Sequence, residues 1–420
     1  MAIQKKNYIF PLIIIAMTFF VIGFGVGING IMVPVLEGAF NLSKGMSYVV
    51  LAATFSAFLI FGAPAGWIIK KIGYKKTLSV AFFIMALGML LFVPSAKMST
   101  SMTGFYMFLL ATFVGGIGNT MLQASVNPYV TICGPIEKAA QRMCMMGIAN
   151  KSAWWLGPLF ISLFIDVKQP QLSEAVIPFA VAAGVIAALG VFILFIALPE
   201  VKAAGEDETE DTAAAQKPEV VLANKQKSIW AFPHLILGAL ALFIYVGVET
   251  LPMASVIGYA KAMGVADPAS YSLIVPVGLV IGYVISIFVL QVLPQTKALL
   301  LFIGIALLAT LLLIFLPPKY SIYCLAGLGF SHAVMWGAIW ALAIDKLGKF
   351  TKSGSSMLVI AIVGGAIIPL IFAFALDALT GAGEAVPADY QNAYWIFIPC
   401  YLFMLYYALA GHKLQPKKRA

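Results

Sequence analysis

Apolar runs of about twenty residues recur along this chain, and each is long enough to cross a bilayer as a helix. That feature constrains the fold more than any other. A membrane interior offers the backbone no water, so each spanning segment must satisfy its own N–H and C=O groups. Barrel strands would be about ten residues long and would alternate in polarity, which these runs do not. The chain is therefore expected to be an all-α integral membrane protein, in keeping with 420 residues that are 62% hydrophobic and 10% charged.

Twelve spans can be read, at about 9–33, 46–69, 77–95, 104–131, 143–166, 176–198, 232–260, 269–293, 297–316, 320–345, 354–378 and 390–411. The first follows Lys5 and Lys6 but is too long for a signal-peptide core, so it is expected to be retained. With both termini cytoplasmic, the cytoplasmic segments hold 20 Lys and Arg, among them Lys346, Lys349 and Lys352, and the opposite loops hold five. Only Lys151 is left inside a span. This asymmetry predicts both ends in the cytoplasm of a bacterial-type inner membrane. The net charge of +9 then reports topology and attraction to anionic lipid, and nucleic acid is not an expected partner. Cys133, Cys144, Cys324 and Cys400 show no metal-ligand spacing and read as small hydrophobes. Neither a metal nor another cofactor is expected, and the chain is expected to be monomeric.

A polar, acidic stretch at 199–231 divides the spans six and six and reads as a flexible cytoplasmic linker or bare tether. The expected domains are thus 1–198 and 232–420. A shift of 211 residues lays 115–166 without a gap on 326–377, pairing Gly116 with Gly327, Lys138 with Lys349, Pro158 with Pro369 and Asp166 with Asp377. Six spans separate the copies, so both run in the same direction. Two parallel-repeat bundles of six helices are an architecture of transporters.

Polar residues inside the spans are the candidate functional groups. Asn119, Gln123 and Asn127 recur every four residues and fall on one helical face, drifting about 40° per step. Amides offer donors and acceptors together, which suits a polyhydroxylated ligand, although each could instead tie helices together. Asn29, Asn150, Lys151 and His332 add polar atoms, and Trp155 and Trp336 offer faces for a sugar ring or simple packing. Glu249 is the one carboxylate placed well inside a span; it must be protonated or find a cation, so it is the candidate for coupling to H+ or Na+. A static pair between Glu249 and Lys151 is the competing reading, and Lys151 could also snorkel to the interface.

The stretches "LQASVNPYV", "IIKKIGYKKTL", "YVGVET" and "LGKFTKSGSSMLVIAIVGGAIIP" resemble the fucose:proton symporter family of the major facilitator superfamily, including its glucose/galactose branch. The resemblance implies a twelve-helix fold with a central sugar site, alternating access and import of a monosaccharide. It places Gln123, Asn127, Asn150 and Glu249 at or near the family's site. It also marks "GWIIKKIGYKK" as the gating loop, with Gly66, Lys70, Lys71, Gly73, Lys75 and Lys76, where Lys70 replaces a frequent Asp. Gly30 and Gln123 stand where the fucose branch has titratable carboxylates, and Lys151 where a small polar residue is usual. A cavity cation at Lys151 would suit an acidic sugar or organic anion, and an uncoupled sugar uniporter is a further alternative. An integral-membrane enzyme would call for clustered acids or histidines, and His234, His332 and His412 are scattered.

Overall fold

The computed structural model describes residues 8–40, 44–98, 101–164, 172–206, 216–381 and 383–416. Within them every regular element is helical, and each of the twelve expected spans holds helix. The first half comprises α1 (Ile9–Phe40), α2 (Lys44–Lys97), α3 (Met102–Ile132), α4 (Ala139–Ser162) and α5 (Val176–Phe195). The short α6 (Pro218–Asn224) leads to α7 (Pro233–Ala262), α8 (Ile274–Val292), α9 (Gln295–Phe315), the one-turn α10 (Pro318–Ser321), α11 (Cys324–His332) and α12 (Met335–Ile344). Then follow α13 (Thr351–Ala361), α14 (Gly364–Thr380), α15 (Pro387–Ala393) and α16 (Phe397–Leu409). Among the described residues nine stretches are long and apolar enough to cross a membrane. One of them, Ala52–Lys97, contains two expected spans, and α1 and α4 account for the remaining two.

The two spans within α2 are separate helices joined by a very short turn. It is made at Gly73, whose φ of 81° suits a residue without Cβ. Spans ten and eleven each carry a local irregularity, between α11 and α12 and between α13 and α14, where Ala333, Val334 and Val363 keep right-handed helical angles.

The chain divides into two compact units. One holds 1–134, 149–203 and 355–360; the other holds 135–148, 204–354 and 361–420. Each includes a short segment from the opposite half of the sequence, and under the 211-residue shift 144–149 corresponds to 355–360.

In the first unit α1 crosses α4 so closely that a Cβ on Gly23 would lie 1.9 Å from the Asn150 carbonyl oxygen, and one on Gly27 would lie 2.6 Å from that of Trp154. In the second unit the corresponding spans, α7 and α14, make the same kind of crossing, where a Cβ on Gly364 would lie 1.9 Å from the Phe243 oxygen. Helices in a bilayer gain little from burying apolar surface against each other, and close backbone contact through small residues replaces that driving force. In the first unit Asn150 Nδ2 donates across the crossing to the Phe19 carbonyl (2.9 Å). In the second the Gly365 carbonyl lies 3.1 Å from Thr250 Oγ1, whose one proton also faces the nearer Val246 (2.9 Å) and Gly247 (3.0 Å) carbonyls of its own helix.

The stretch 199–231 is a bare tether in neither of its described parts, which corrects the sequence reading. Tyr129 donates its hydroxyl to the Pro199 carbonyl at 2.7 Å. Further on, Glu206 pairs with Lys352 at 2.9 Å and Glu219 with Lys346 at 3.4 Å. Asn224, at the end of α6, donates to the Gly205 carbonyl and accepts the Lys349 amide, both at 2.9 Å. These bonds dock the second part of the linker on the turn that follows α12. Asp345 opens that turn, and burial pushes its carboxyl above the ordinary range; Lys346 opposes the effect, and Glu219 and Glu137 add to it.

The crossing of α1 and α4 predicts a sharp size limit. Gly23→Ala should cost about 1–3 kcal/mol, whereas Gly184→Ala in α5, where a Cβ would meet nothing within 4 Å, should be neutral. Thermal unfolding of the two variants in detergent checks this, and equal midpoints would contradict it.

Candidate functional site

The polar face of α3 belongs to the first unit and is not uniform. Asn127 is fully buried and donates through Nδ2 to the Gln123 carbonyl (2.9 Å) and, more weakly, to Gln123 Oε1 (3.4 Å). Gln123 is half-buried, so the pair consists of a partly accessible amide braced by an inaccessible one. Pro128 follows, where the helix lacks one backbone donor. Asn119 is only 7% exposed and lines a small cavity beside Met85 and Met89 of α2. Thus the stripe divides, with Gln123 and Asn127 joined by hydrogen bonds and Asn119 turned into the bundle.

On α4, Asn150 spends its amide nitrogen on α1, as described above. Lys151 is 7% exposed, and its Nζ sits 4.0 Å from the centre of the Trp154 ring. A cation over an indole face is held by the ring quadrupole, an arrangement the sequence reading had not anticipated. The side chains of Asn29 and Trp155 lie outside the described residues.

The second unit holds the carboxylate. Glu249 is half-buried on α7, with the buried phenols of Tyr245, one turn earlier, and Tyr283 of α8 near its carboxylate. The Tyr245 hydroxyl donates to the His332 carbonyl (3.2 Å), at the end of α11. His332 is fully buried, with Nε2 2.7 Å from the Tyr401 hydroxyl. Trp336 is half-buried, and its ring centre lies 5.4 Å from that of the fully buried Trp340, the planes tilted by 36°. Tyr245, Tyr283 and Tyr401 escaped the sequence reading. Their one signal was an aromatic at each of three apolar positions, and cores supply many of those.

At the gating loop, Lys70, Lys71 and Lys76 are exposed and Lys75 half-buried. Lys71 lies over Trp67, with Nζ 5.0 Å from the ring centre. The loop is held by a residue assigned to the linker: the Glu200 carboxylate accepts the amides of Tyr74 (2.9 Å) and Lys75 (3.0 Å), just after the left-handed Gly73.

An all-helical chain with intramembrane amides, a membrane carboxylate and matching crossings in two units defines a multi-pass membrane protein of the transporter type. The Major Facilitator Superfamily profile matches residues 15–373. A glucose/galactose transporter of Brucella abortus (biovar 1, strain 9-941) is 30% identical over 98% of this chain and 96% of its own. The L-fucose-proton symporter of Escherichia coli (strain K12) is 24% identical over 92% of this chain and 91% of its own. Among solved structures, the transporter FucP in the outward conformation superposes with a TM-score of 0.77 at 22% identity, covering 95% of this chain and 99% of that one. The proton:xylose symporter XylE gives a TM-score of 0.73 at 16% identity, covering 96% of each chain. The chain belongs to the Major Facilitator Superfamily, in the family of the fucose:proton symporters and their glucose/galactose relatives. Its relatives are transporters and not enzymes.

The Glu200 contact supplies a direct test of the loop. Gly73→Ala forces a Cβ into left-handed backbone and brings it 2.6 Å from Glu200 Oε1. Amide exchange at Tyr74 and Lys75 should accelerate in this variant and in Glu200→Ala. Unchanged protection in both would show that the carboxylate does not hold the loop.

Proposed function

We propose that this protein imports a neutral monosaccharide across a bacterial-type inner membrane by alternating access, coupled to the entry of a proton or a sodium ion. Both termini lie in the cytoplasm, as the distribution of basic residues suggests. The observation that carries the reading is the 30% identity to a glucose/galactose transporter along 98% of the chain. The fucose-proton symporter, similar over 92% of the chain, favours a coupled mechanism.

The roles follow from chemistry. Gln123 offers a sugar hydroxyl both a donor and an acceptor, with Asn127 bracing it through the backbone and side chain. Asn150 ties α4 to α1 within the same unit. Glu249 takes the coupling role because the Gly30 and Gln123 positions cannot titrate. The Lys151 ammonium rests against Trp154, and the relatives, which carry glucose, galactose or fucose, favour a neutral sugar over an acidic one.

Uptake into oriented vesicles, with a panel of sugars and separately imposed proton and sodium gradients, tests the proposal. Gln123→Ala should reduce kcat/KM about 5- to 150-fold, the equivalent of about 1–3 kcal/mol for a sugar hydroxyl left unpaired. Wild-type kinetics would remove Gln123 from the site. Glu249→Gln should abolish accumulation yet keep sugar exchange across the membrane. Normal accumulation in that variant would move the coupling role elsewhere, and a wild type that only equilibrates sugar under both gradients would make the protein a uniporter.

A further inference from the structure

Thr112, Gly115, Gly116 and Asn119 lie at i, i+3, i+4 and i+7 on α3 and so share one face. That face lines a cavity of about 40 Å³ inside the first unit, walled by Ile22 of α1 and by Met85, Met89 and Phe92 of α2. Thr112 is 4% exposed and Asn119 7%. Among the described residues, Thr112 Oγ1 and Asn119 Oδ1 are both buried without a hydrogen-bond partner.

The Thr112 hydroxyl is unusual for its helix. Thr120, Ser125 and Thr131 each donate to the carbonyl four residues back, at 2.8, 2.9 and 2.8 Å. Thr112 makes no such bond. Buried polar atoms in proteins are almost always paired, so the two atoms at either end of one cavity call for a ligand between them.

Size and charge select the ligand. Each water needs about 10–15 Å³ of such a cavity, so about 40 Å³ takes at most three or four and is far too small for a hexose. No charged side chain lines it, and an ion at membrane depth needs a charged or multiply coordinating partner. Seven residues of helix rise about 10.5 Å, a length that two or three waters spaced about 2.8 Å apart bridge. At Gly115 a Cβ would meet nothing within 4 Å, so the middle of the path is open.

We propose that this face of α3 holds a file of two or three bound waters running from Thr112 to Asn119 past Gly115. The file occupies the Asn119 oxygen and separates this residue from Gln123, one turn further on, as a water site inside the bundle. It stands independently of which sugar the protein carries.

Met85 and Met89, 4% and 6% exposed, are natural reporters. In X-ray hydroxyl-radical footprinting of the full-length protein in lipid nanodiscs, bound water generates radicals next to them even when a bulk scavenger is present. Both should oxidise at least tenfold faster than Met121 and Met335, which are 1% and 0% exposed and lie away from the cavity. The double variant Thr112→Val, Asn119→Leu should bring them to the control rate. Gly115→Ala, which adds one methyl to open space, should slow them as well and decides the matter if the double variant does not fold. Wild-type rates at the control level, or unchanged rapid oxidation in the folded variants, would overturn the proposal.

Discussion

In hydrocarbon a backbone amide has nowhere to turn but its own helix, and the rest of the structure follows from that restriction. Helices there gain little by burying apolar side chains against each other, so association depends on backbones meeting closely. The crossing of α1 with α4 at Gly23 and Gly27, and of α7 with α14 at Gly364, meets this need in both units. Where backbones come so near, one side-chain donor can reach across to a carbonyl of the neighbouring helix, as Asn150 does. Such a bond is worth about 0.6–1.7 kcal/mol in a bilayer, so it orients a crossing that close packing has already made.

The position of nearly every helix was legible in the amino-acid order because length and apolarity alone mark a span. Even the parallel repeat left a trace, in the Pro, Lys and Asp pairs that coincide under a single shift. The irregularity between α11 and α12 left none, since "SHAVMWGAIW" is composed largely of residues that a helix accepts. The group that meets the His332 carbonyl there, the Tyr245 hydroxyl, comes from elsewhere in the chain. The docking of the linker was hidden for the same reason. Glu200 finds its amides about 125 residues earlier, and Asn224 finds Lys349 about as far ahead. A composition rich in acid and alanine, as at 199–215, gives no sign of such distant partners.

The candidate site was legible by halves. Spacing placed three amides on one face of α3, but a drift of about 40° per step is enough to send the first and the last to different surroundings. Asn119 enters a cavity with methionine and phenylalanine walls, and Asn127 turns back to its own helix. Only Gln123 keeps a partly accessible amide. Lys151 read as a charge that could pair, bind an anion or snorkel, and the structure adds the Trp154 ring beneath its ammonium. Periodicity says which residues share a face, and the side chains opposite decide what each can do.

A structure of the protein with a bound hexose would test whether α3 carries the substrate. The account places sugar hydroxyls within about 3.2 Å of the Gln123 side-chain amide, with Asn127 still bonded to the Gln123 carbonyl and no sugar contact to Asn119. A hexose seated without contact to Gln123, or bonded to Asn119 in its place, would contradict it.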